Sequence, residues 1–254
     1  MDSVFAGRWM ARVVVGFGFI LFTACGPLAE QPVTEGDTKN PGTKTPGTTP
    51  GTPPADVPES PVALVAALWE KPHPDDGPDW TSYAFEVVRD YGANLIAGTS
   101  DTKDFCPAYS TLNKDQKISF WVYLVSAMTK YESGFDPTNR YKESTMGTDP
   151  VTKQPVYSEG LLQLSYQDSR NYSFCNQFDW EKDKLLSPRD PRKTILDPYK
   201  NLNCGIRILN QIVGSHKAIA FGSGHYWAVL KSSSSHHRIK EIQALTNQIL
   251  FCRK

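Results

Sequence analysis

The stretch YESGFDP, residues 131–137, closes an apolar run and sets one carboxylate, Glu132, just ahead of a glycine and a proline. Upstream, Ile118, Trp121, Leu124, Val125 and Met128 recur at steps of three and four. That spacing predicts a helix over Asp115 to Glu132. Glu132 follows Met128 by four and Val125 by seven, so it shares the face these residues define. An acid in apolar surroundings is costly unless it is paired, protonated or useful. Desolvation penalises its charged form and raises its pKa. A carboxyl that keeps its proton near neutrality can protonate a leaving oxygen. The plainer alternative is a helix-terminal Glu that reaches water or pairs with Arg140 or Lys130.

The same spacing recurs along the chain. Helices are predicted over Trp80 to Ala93, Leu161 to Tyr172, Leu202 to Val213 and Arg238 to Phe251, with a short β-element near Thr148 to Tyr157. Strand-like alternation is scarce. Residues 62–254 therefore read as one domain, mainly α, with a small irregular or β lobe, of a size that one core can serve.

The first residues read differently. Arg8 and Arg12 precede an apolar stretch, Val13 to Phe22, which is shorter than the roughly 20 residues a transmembrane helix needs. Residues 1–24 fit a signal peptide. The stretch ends Leu21-Phe22-Thr23-Ala24-Cys25-Gly26, which resembles the lipobox of bacterial lipoproteins, with Phe22 where Leu is usual. The resemblance implies an exported chain, lipidated on Cys25 and held at a membrane in the periplasm or on the cell surface. Residues 25–61, including KNPGTKTPGTTPGTPPADVPESP at 39–61, are low in large apolar residues and cannot bury a core. A flexible coil of this length spans roughly 35 Å and suits a tether.

Five cysteines fit export. Setting Cys25 aside for lipid leaves Cys106, Cys175, Cys204 and Cys252, with three connectivities open. Cys175–Cys204 and Cys106–Cys252 are favoured, the first closing a local loop and the second tying the domain's ends. Free buried thiols are the alternative. No CxxC occurs, and His216, His225, His236 and His237 have no ligand-like spacing to a cysteine, so no metal or other cofactor is expected. The 27 basic and 27 acidic residues balance, and loss of residues 1–24 leaves a charge of about −1. That argues against a nucleic-acid partner. No heptad run appears, and a monomer is expected.

Two further stretches join YESGFDP: Ser158-Glu159-Gly160-Leu161-Leu162-Gln163, and Asp197-Pro198-Tyr199-Lys200-Asn201 running on to Gly205. The order E-S-x-F-x-P, S-x-G-L-L-Q, D-P-x-x-N-x-x-x-G resembles the catalytic domain of soluble lytic transglycosylases, relatives of goose-type lysozyme, over about residues 115–230. The motifs are specific as a set. The resemblance implies a lysozyme-like helical fold and cleavage of the bond from N-acetylmuramic acid to N-acetylglucosamine in peptidoglycan glycan strands. It casts Glu132 as catalytic acid/base, and Ser133, Ser158, Gln163, Tyr226, Glu143 and Glu159 are the candidate substrate-binding residues. Gln163 would line the sugar cleft, Gly160 and Leu161 would shape the turn before it, and Asn201 and Gly205 would support the cleft helix. A glutamine has both a donor and an acceptor for a sugar substituent. Asn201 has a second reading, as the cap of a helix starting near Asp197-Pro198.

The chain departs from that family in two places. Lys142 to Tyr157 is longer and more polar than usual. The A-Y-N-x-G element is missing, and His225-Tyr226-Trp227-Ala228-Val229-Leu230 stands instead. Tyr226 either takes the place of the family tyrosine or packs with Trp227. No second acid has a motif-like relation to Glu132, which fits substrate-assisted transglycosylation. Asp136, Glu143, Asp149 and Glu159 are candidate helpers for hydrolysis instead. If Glu143, Asp149 and Glu159 face the cleft, their charge favours N-deacetylated sugar; otherwise they belong to a solvated loop. A catalytically silent wall-binding lipoprotein is the alternative of another class.

Overall fold

The computed structural model describes residues 65–224 and 226–253, within a compact unit running Val57–Lys254. The leader, Cys25 and the Pro/Thr/Gly segment lie outside the described residues, as does His225. Eight α-helices and two short strands follow in order: α1 (Gly77–Tyr91), α2 (Ala93–Ala97), α3 (Thr102–Phe105), α4 (Lys114–Glu132), β1 (Arg140–Lys142), β2 (Tyr157–Glu159), α5 (Gln167–Asn171), α6 (Trp180–Asp183), α7 (Pro198–His216) and α8 (Ile239–Thr246). The domain is mainly α with a small β lobe, as its residue pattern predicts.

Helix α4 is the axis. Asn113 opens it with a reciprocal cap: its side chain accepts from the Gln116 N–H at 2.9 Å, and its own N–H donates to Gln116 Oε1 at 3.0 Å. Every residue from Ile118 to Thr129 is buried. The periodicity predicts one buried stripe; the helix instead has no wet face over those three turns. The reason is its position, with α1, α2, α8 and the turn Leu68–Glu70 all packed around it. The side away from the large residues carries small ones. Ser126 and Thr129 satisfy their hydroxyls on the helix itself, donating to the carbonyls of Tyr123 at 2.6 Å and Ser126 at 2.8 Å. Glu132, itself half-buried, is the last residue of the helix, three positions beyond that sunk stretch.

Helix α7 packs against α1 and α2. Its cap is Asp197, whose carboxylate accepts the N–H groups of Tyr199 and Lys200 at 2.9 and 3.2 Å, with Pro198 in the first turn. This corrects the reading of Asn201 as the cap.

Two predicted elements also change. The segment Leu161 to Tyr172 is helical only over α5. Before it, Glu159 and Leu164 exchange backbone hydrogen bonds of 2.7 and 2.9 Å, and the chain between them doubles back through Gly160 (φ +79°) and Gln163 (φ +51°). The i, i+1 leucines that look helical are buried corners of that hairpin. The β-element predicted at Thr148 to Tyr157 is a single bridge, Thr148 to Pro155. Of the two strands, β1 precedes it and β2 begins at its last residue, and they pair antiparallel, with Arg140 opposite Glu159, Tyr141 opposite Ser158 and Lys142 opposite Tyr157. The long polar segment is the arm of this hairpin. Helix α8 ends at Thr246, and a 3-10 turn, Leu250–Cys252, follows.

Both favoured disulfides are formed, Cys106–Cys252 and Cys175–Cys204. The first spans 146 residues and ties the segment after α3 to the end of the domain. The chain-entropy model assigns about 5 kcal/mol to closing so long a loop. Replacing Cys106 and Cys252 together by serine should cost about 1.4 kcal/mol more than replacing Cys175 and Cys204, whose loop spans 29 residues; equal losses in urea titrations would contradict the loop-length account.

Candidate active site

Glu132 ends the buried helix, and Ser133 closes it. The Ser133 N–H and hydroxyl both turn back to the Thr129 carbonyl, at 3.0 and 3.2 Å. Ser133 therefore has a structural task, and its side chain is committed to the helix end. Oε1 of Glu132 is out of water and without a hydrogen-bond partner. Burial pushes the carboxyl up to about 8; the charge of Glu143 adds to the rise, and the polarity of the nearby Val229 backbone N–H pulls against it. No ion pair to Glu132 is found among the described residues. Neither Arg140 nor Lys130 neutralises it: Arg140 reaches toward Glu159, and Lys130 lies over the Tyr131 ring. The acid is kept neutral by desolvation.

The four candidate helper acids have different fates. Glu159 is 1% exposed and bonded to Lys193 Nζ at 2.5 Å, with Arg140 Nε at 3.4 Å. It is a buried counterion under the hairpin, which corrects its placement among substrate-binding residues. Asp149 is also buried; its two oxygens accept the N–H groups of Val151, Thr152 and Gln167 and fold the arm. Asp136 accepts from the Thr138 N–H and hydroxyl and pairs with Arg189. Only Glu143 is electrostatically coupled to Glu132. It follows β1, with its N–H on the Val156 carbonyl at 3.0 Å, and the Ser158 hydroxyl donates to its Oε1 at 2.6 Å.

Strand alternation explains why Ser158 and Glu159, adjacent in sequence, serve different ends. Successive side chains leave a strand on opposite faces. Ser158 faces the Glu143 side, while Tyr157 and Glu159 share the other face with Arg140, whose guanidinium carbon sits 3.3 Å above the Tyr157 ring. Of the residues assigned to substrate, Ser158 orients the second acid.

The Gly160–Gln163 turn is built from three directions. Asn201 is fully buried on α7; its Oδ1 accepts from the Leu162 N–H at 2.8 Å, and its Nδ2 donates to the carbonyls of Glu159 and Ile195 at 3.1 and 3.0 Å. A Cβ at Gly160 would strike that amide. One on Gly205 would strike the Leu162 side chain, so this glycine lets the turn seat on α7. Leu161 is fully buried. Gln163 donates its Nε2 to the Gly160 carbonyl at 2.8 Å and is 9% exposed, so its amide locks the turn. From the third side Trp227 Nε1 donates to the Leu162 carbonyl at 2.8 Å. Tyr226 packs against Trp227, as one reading of the sequence has it, and its hydroxyl donates to Asp168 Oδ2 at 2.6 Å.

Sequence reasoning missed three participants. The Val229 N–H carries no side-chain signal at all. Lys193 lies in no motif. Asp168 is legible in principle, since Ser165 and Asp168 have S-x-x-D spacing and Oδ2 of Asp168 accepts from the Ser165 N–H and hydroxyl at 2.8 and 3.1 Å. Among the described residues there is no cluster of His, Cys, Asp or Glu able to hold a metal ion, and no helix long and apolar enough to cross a membrane.

The arrangement defines a mainly α protein with a proton-bearing carboxyl at a helix end and a second carboxyl carried to it by a hairpin. No protein-family model matches the chain, and no curated protein is similar to it. Solved structures of DslA, a Bdellovibrio protein, are similar: the wild type has a TM-score of 0.62 and 30% identity, covering 75% of this chain and 99% of DslA. Two glutamate-to-glutamine variants of DslA match with TM-scores of 0.62 and 0.61 and identities of 29% and 30% over the same shares. The chain belongs to the DslA family.

Two stability tests follow. Between about pH 4.5 and 8 the unfolded chain ionises Glu132 while the native chain holds its proton, so this residue's contribution to stability falls as pH rises. Glu132→Gln should match the wild type near pH 4 and exceed it at pH 8.5 by a few kcal/mol, at about 1.4 kcal/mol per pKa unit; urea midpoints at both pH values measure this. Asn201→Ala removes three buried hydrogen bonds and should cost about 3 kcal/mol or more. A loss under 1 kcal/mol on the same titration would show that the turn does not depend on the clamp.

Proposed function

We propose that the protein cleaves the β-1,4 bond between N-acetylmuramic acid and N-acetylglucosamine in peptidoglycan, with Glu132 as the acid. One observation carries the reading: a carboxyl buried at a helix end, unneutralised by any cation, with Oε1 unpartnered and its pKa pushed up to about 8. Such a group delivers a proton to the glycosidic oxygen as the bond to the anomeric carbon breaks. The motif resemblance to lytic transglycosylases supplies the substrate class. In this reading the chain is an exported lipoprotein anchored through Cys25, which its leader supports.

Glu143 favours hydrolysis over transglycosylation. In hydrolysis a water oxygen bonds to the anomeric carbon and its proton passes to Glu143, the two-carboxylate scheme of most glycosidases. In transglycosylation the muramoyl C6 hydroxyl takes the place of water, Glu132 recovers the proton, and a 1,6-anhydro ring closes without a second acid. The DslA variants lend weight to a pair: their substituted glutamates lie eleven positions apart, as Glu132 and Glu143 do. Of the three acids that sequence alone offers for an N-deacetylated sugar, Glu143 is the one left uncommitted to the scaffold. An ammonium in place of the acetamido group would meet its charge, and a sugar without that acetamido group cannot assist its own cleavage.

Digestion of purified sacculi, acetylated and deacetylated, with mass analysis of the products tests each part. Reducing ends are expected, anhydro ends would assign transglycosylation, and intact sacculi would leave a wall-binding protein. Glu132→Gln should lower turnover by about 10²–10⁴-fold. Since Glu132 acts protonated, kcat/KM should fall above about pH 8. Glu143→Gln should cut turnover and also move that alkaline limb to lower pH, because removing a neighbouring negative charge eases ionisation of Glu132. Full activity in either variant overturns its assigned role.

A further inference from the structure

Strand β1 carries its side chains in two rows. Arg140 and Lys142 stand opposite Glu159 and Tyr157, on the face of the buried charge cluster. The other row is Asn139, Tyr141 and Glu143, because the ladder continues one residue past the strand at each end. The Gly160 N–H donates to the Asn139 carbonyl at 2.9 Å, and the Glu143 N–H to the Val156 carbonyl at 3.0 Å. Both bonds keep the register that sets Tyr141 opposite Ser158.

Both ends of this second row are fixed. Asn139 Nδ2 donates to the Ser133 carbonyl at 3.4 Å, which holds the start of the row against the residue next to Glu132. At the other end Glu143, the second acid of the proposed reaction, accepts from the Ser158 hydroxyl at 2.6 Å. Tyr141 stands between them. Four strand steps measure about 13 Å, the scale of a few joined sugar rings. Tyr141 is 59% exposed, and among the described residues no hydrogen bond, ring or cation engages its side chain. The other exposed tyrosines have partners: the Arg207 guanidinium lies 4.3 Å from the Tyr91 ring, and Tyr199 meets the Tyr83 ring edge-on at 5.2 Å. Exposure alone makes no site, since single apolar residues are common on surfaces. The position of Tyr141 in the row is what distinguishes it.

We propose that Tyr141 is a stacking platform for the glycan: its ring takes the C–H face of a hexosamine and guides the glycan from the Glu132 side toward Glu143. The inference rests on peptidoglycan glycan as the substrate. It deepens that reading by assigning a binding residue that lies in none of the motifs. A phenol ring presents an electron-rich face. A pyranose presents polarised C–H bonds on one face and hydroxyls around its rim, so the two faces meet while the hydroxyls stay in water. This contact requires no charge on the sugar and does not depend on whether its amino group is acetylated. Tyr141 therefore supplies affinity for both forms of the wall, and the Glu143 charge discriminates between them.

The test is cosedimentation of Glu132→Gln protein, which should leave the glycan uncut, with purified sacculi, acetylated and deacetylated. In that background Tyr141→Ala should weaken binding about tenfold on both kinds of sacculi. Tyr141→Phe keeps the ring face and should stay within about threefold of its parent. Tyr91→Ala, a change at an exposed tyrosine on α1, should leave binding unaltered. With Glu132 intact, the loss in Tyr141→Ala should fall on KM more than on kcat. The ring is exposed, so the urea midpoint should stay in place, which separates a lost contact from a lost fold. Binding by Tyr141→Ala equal to that of its parent overturns the platform. So does a loss in Tyr141→Phe as large as in Tyr141→Ala, which would assign the contact to the hydroxyl, and so does a parent that fails to sediment with sacculi. If Tyr141→Ala loses binding while wild-type protein leaves sacculi intact, the platform is upheld and the enzymatic reading fails. If wild-type protein cleaves sacculi and Tyr141→Ala binds and cleaves equally well, the reaction stands and the platform fails.

Discussion

Everything distinctive in this domain follows from a carboxyl buried without a counterion. The stretch Ile118–Thr129 of α4 is dry on every side, and half-buried Glu132 stands three residues beyond it, within reach of the Glu143 charge. A cation there would have made an ordinary buried ion pair and an ionised acid. The cations available nearby are instead spent elsewhere: Arg140 and Lys193 on Glu159, Arg189 on Asp136. Keeping positive charge off Glu132 is as much a property of the fold as keeping water off it.

That partition is enforced by the small β lobe. Its two strands are only three residues each, yet their register decides which acids are scaffold and which is free to act. Arg140 opposite Glu159 builds a buried charge cluster on one face. Removing one partner of such a cluster is far more costly than the cluster is stabilising, which makes it a register lock rather than a source of stability. The other face carries Ser158 toward Glu143. A slip of one residue would exchange the two faces and bury the wrong acid.

The turn 160–163 is the second dependent structure. Its backbone holds a left-handed Gln163, a conformation that costs of order 1–3 kcal/mol and persists where surroundings over-determine it. Asn201 from α7, the Trp227 indole and the Gln163 amide supply those surroundings. The glycines at 160 and 205 read as motif letters in the sequence. Their physical content is clearance, one for an asparagine amide and one for a leucine side chain.

By itself the sequence determined the helical class, the central helix with its terminal acid and the residues of the turn, because helical period and short motifs are local properties; it favoured one of three cysteine pairings, and the fold selected it. It could not determine what the motif side chains bond to. Asn201 as clamp, Glu159 as counterion, Asp149 as loop former and Glu143 as the acid coupled to Glu132 are settled by strand register and by contacts between residues far apart in the chain. The least legible participant is the Val229 N–H, since every residue but proline offers the same group. Only the tertiary fold decides which backbone donor lies near a given carboxyl, and here the Val229 N–H lies near Glu132.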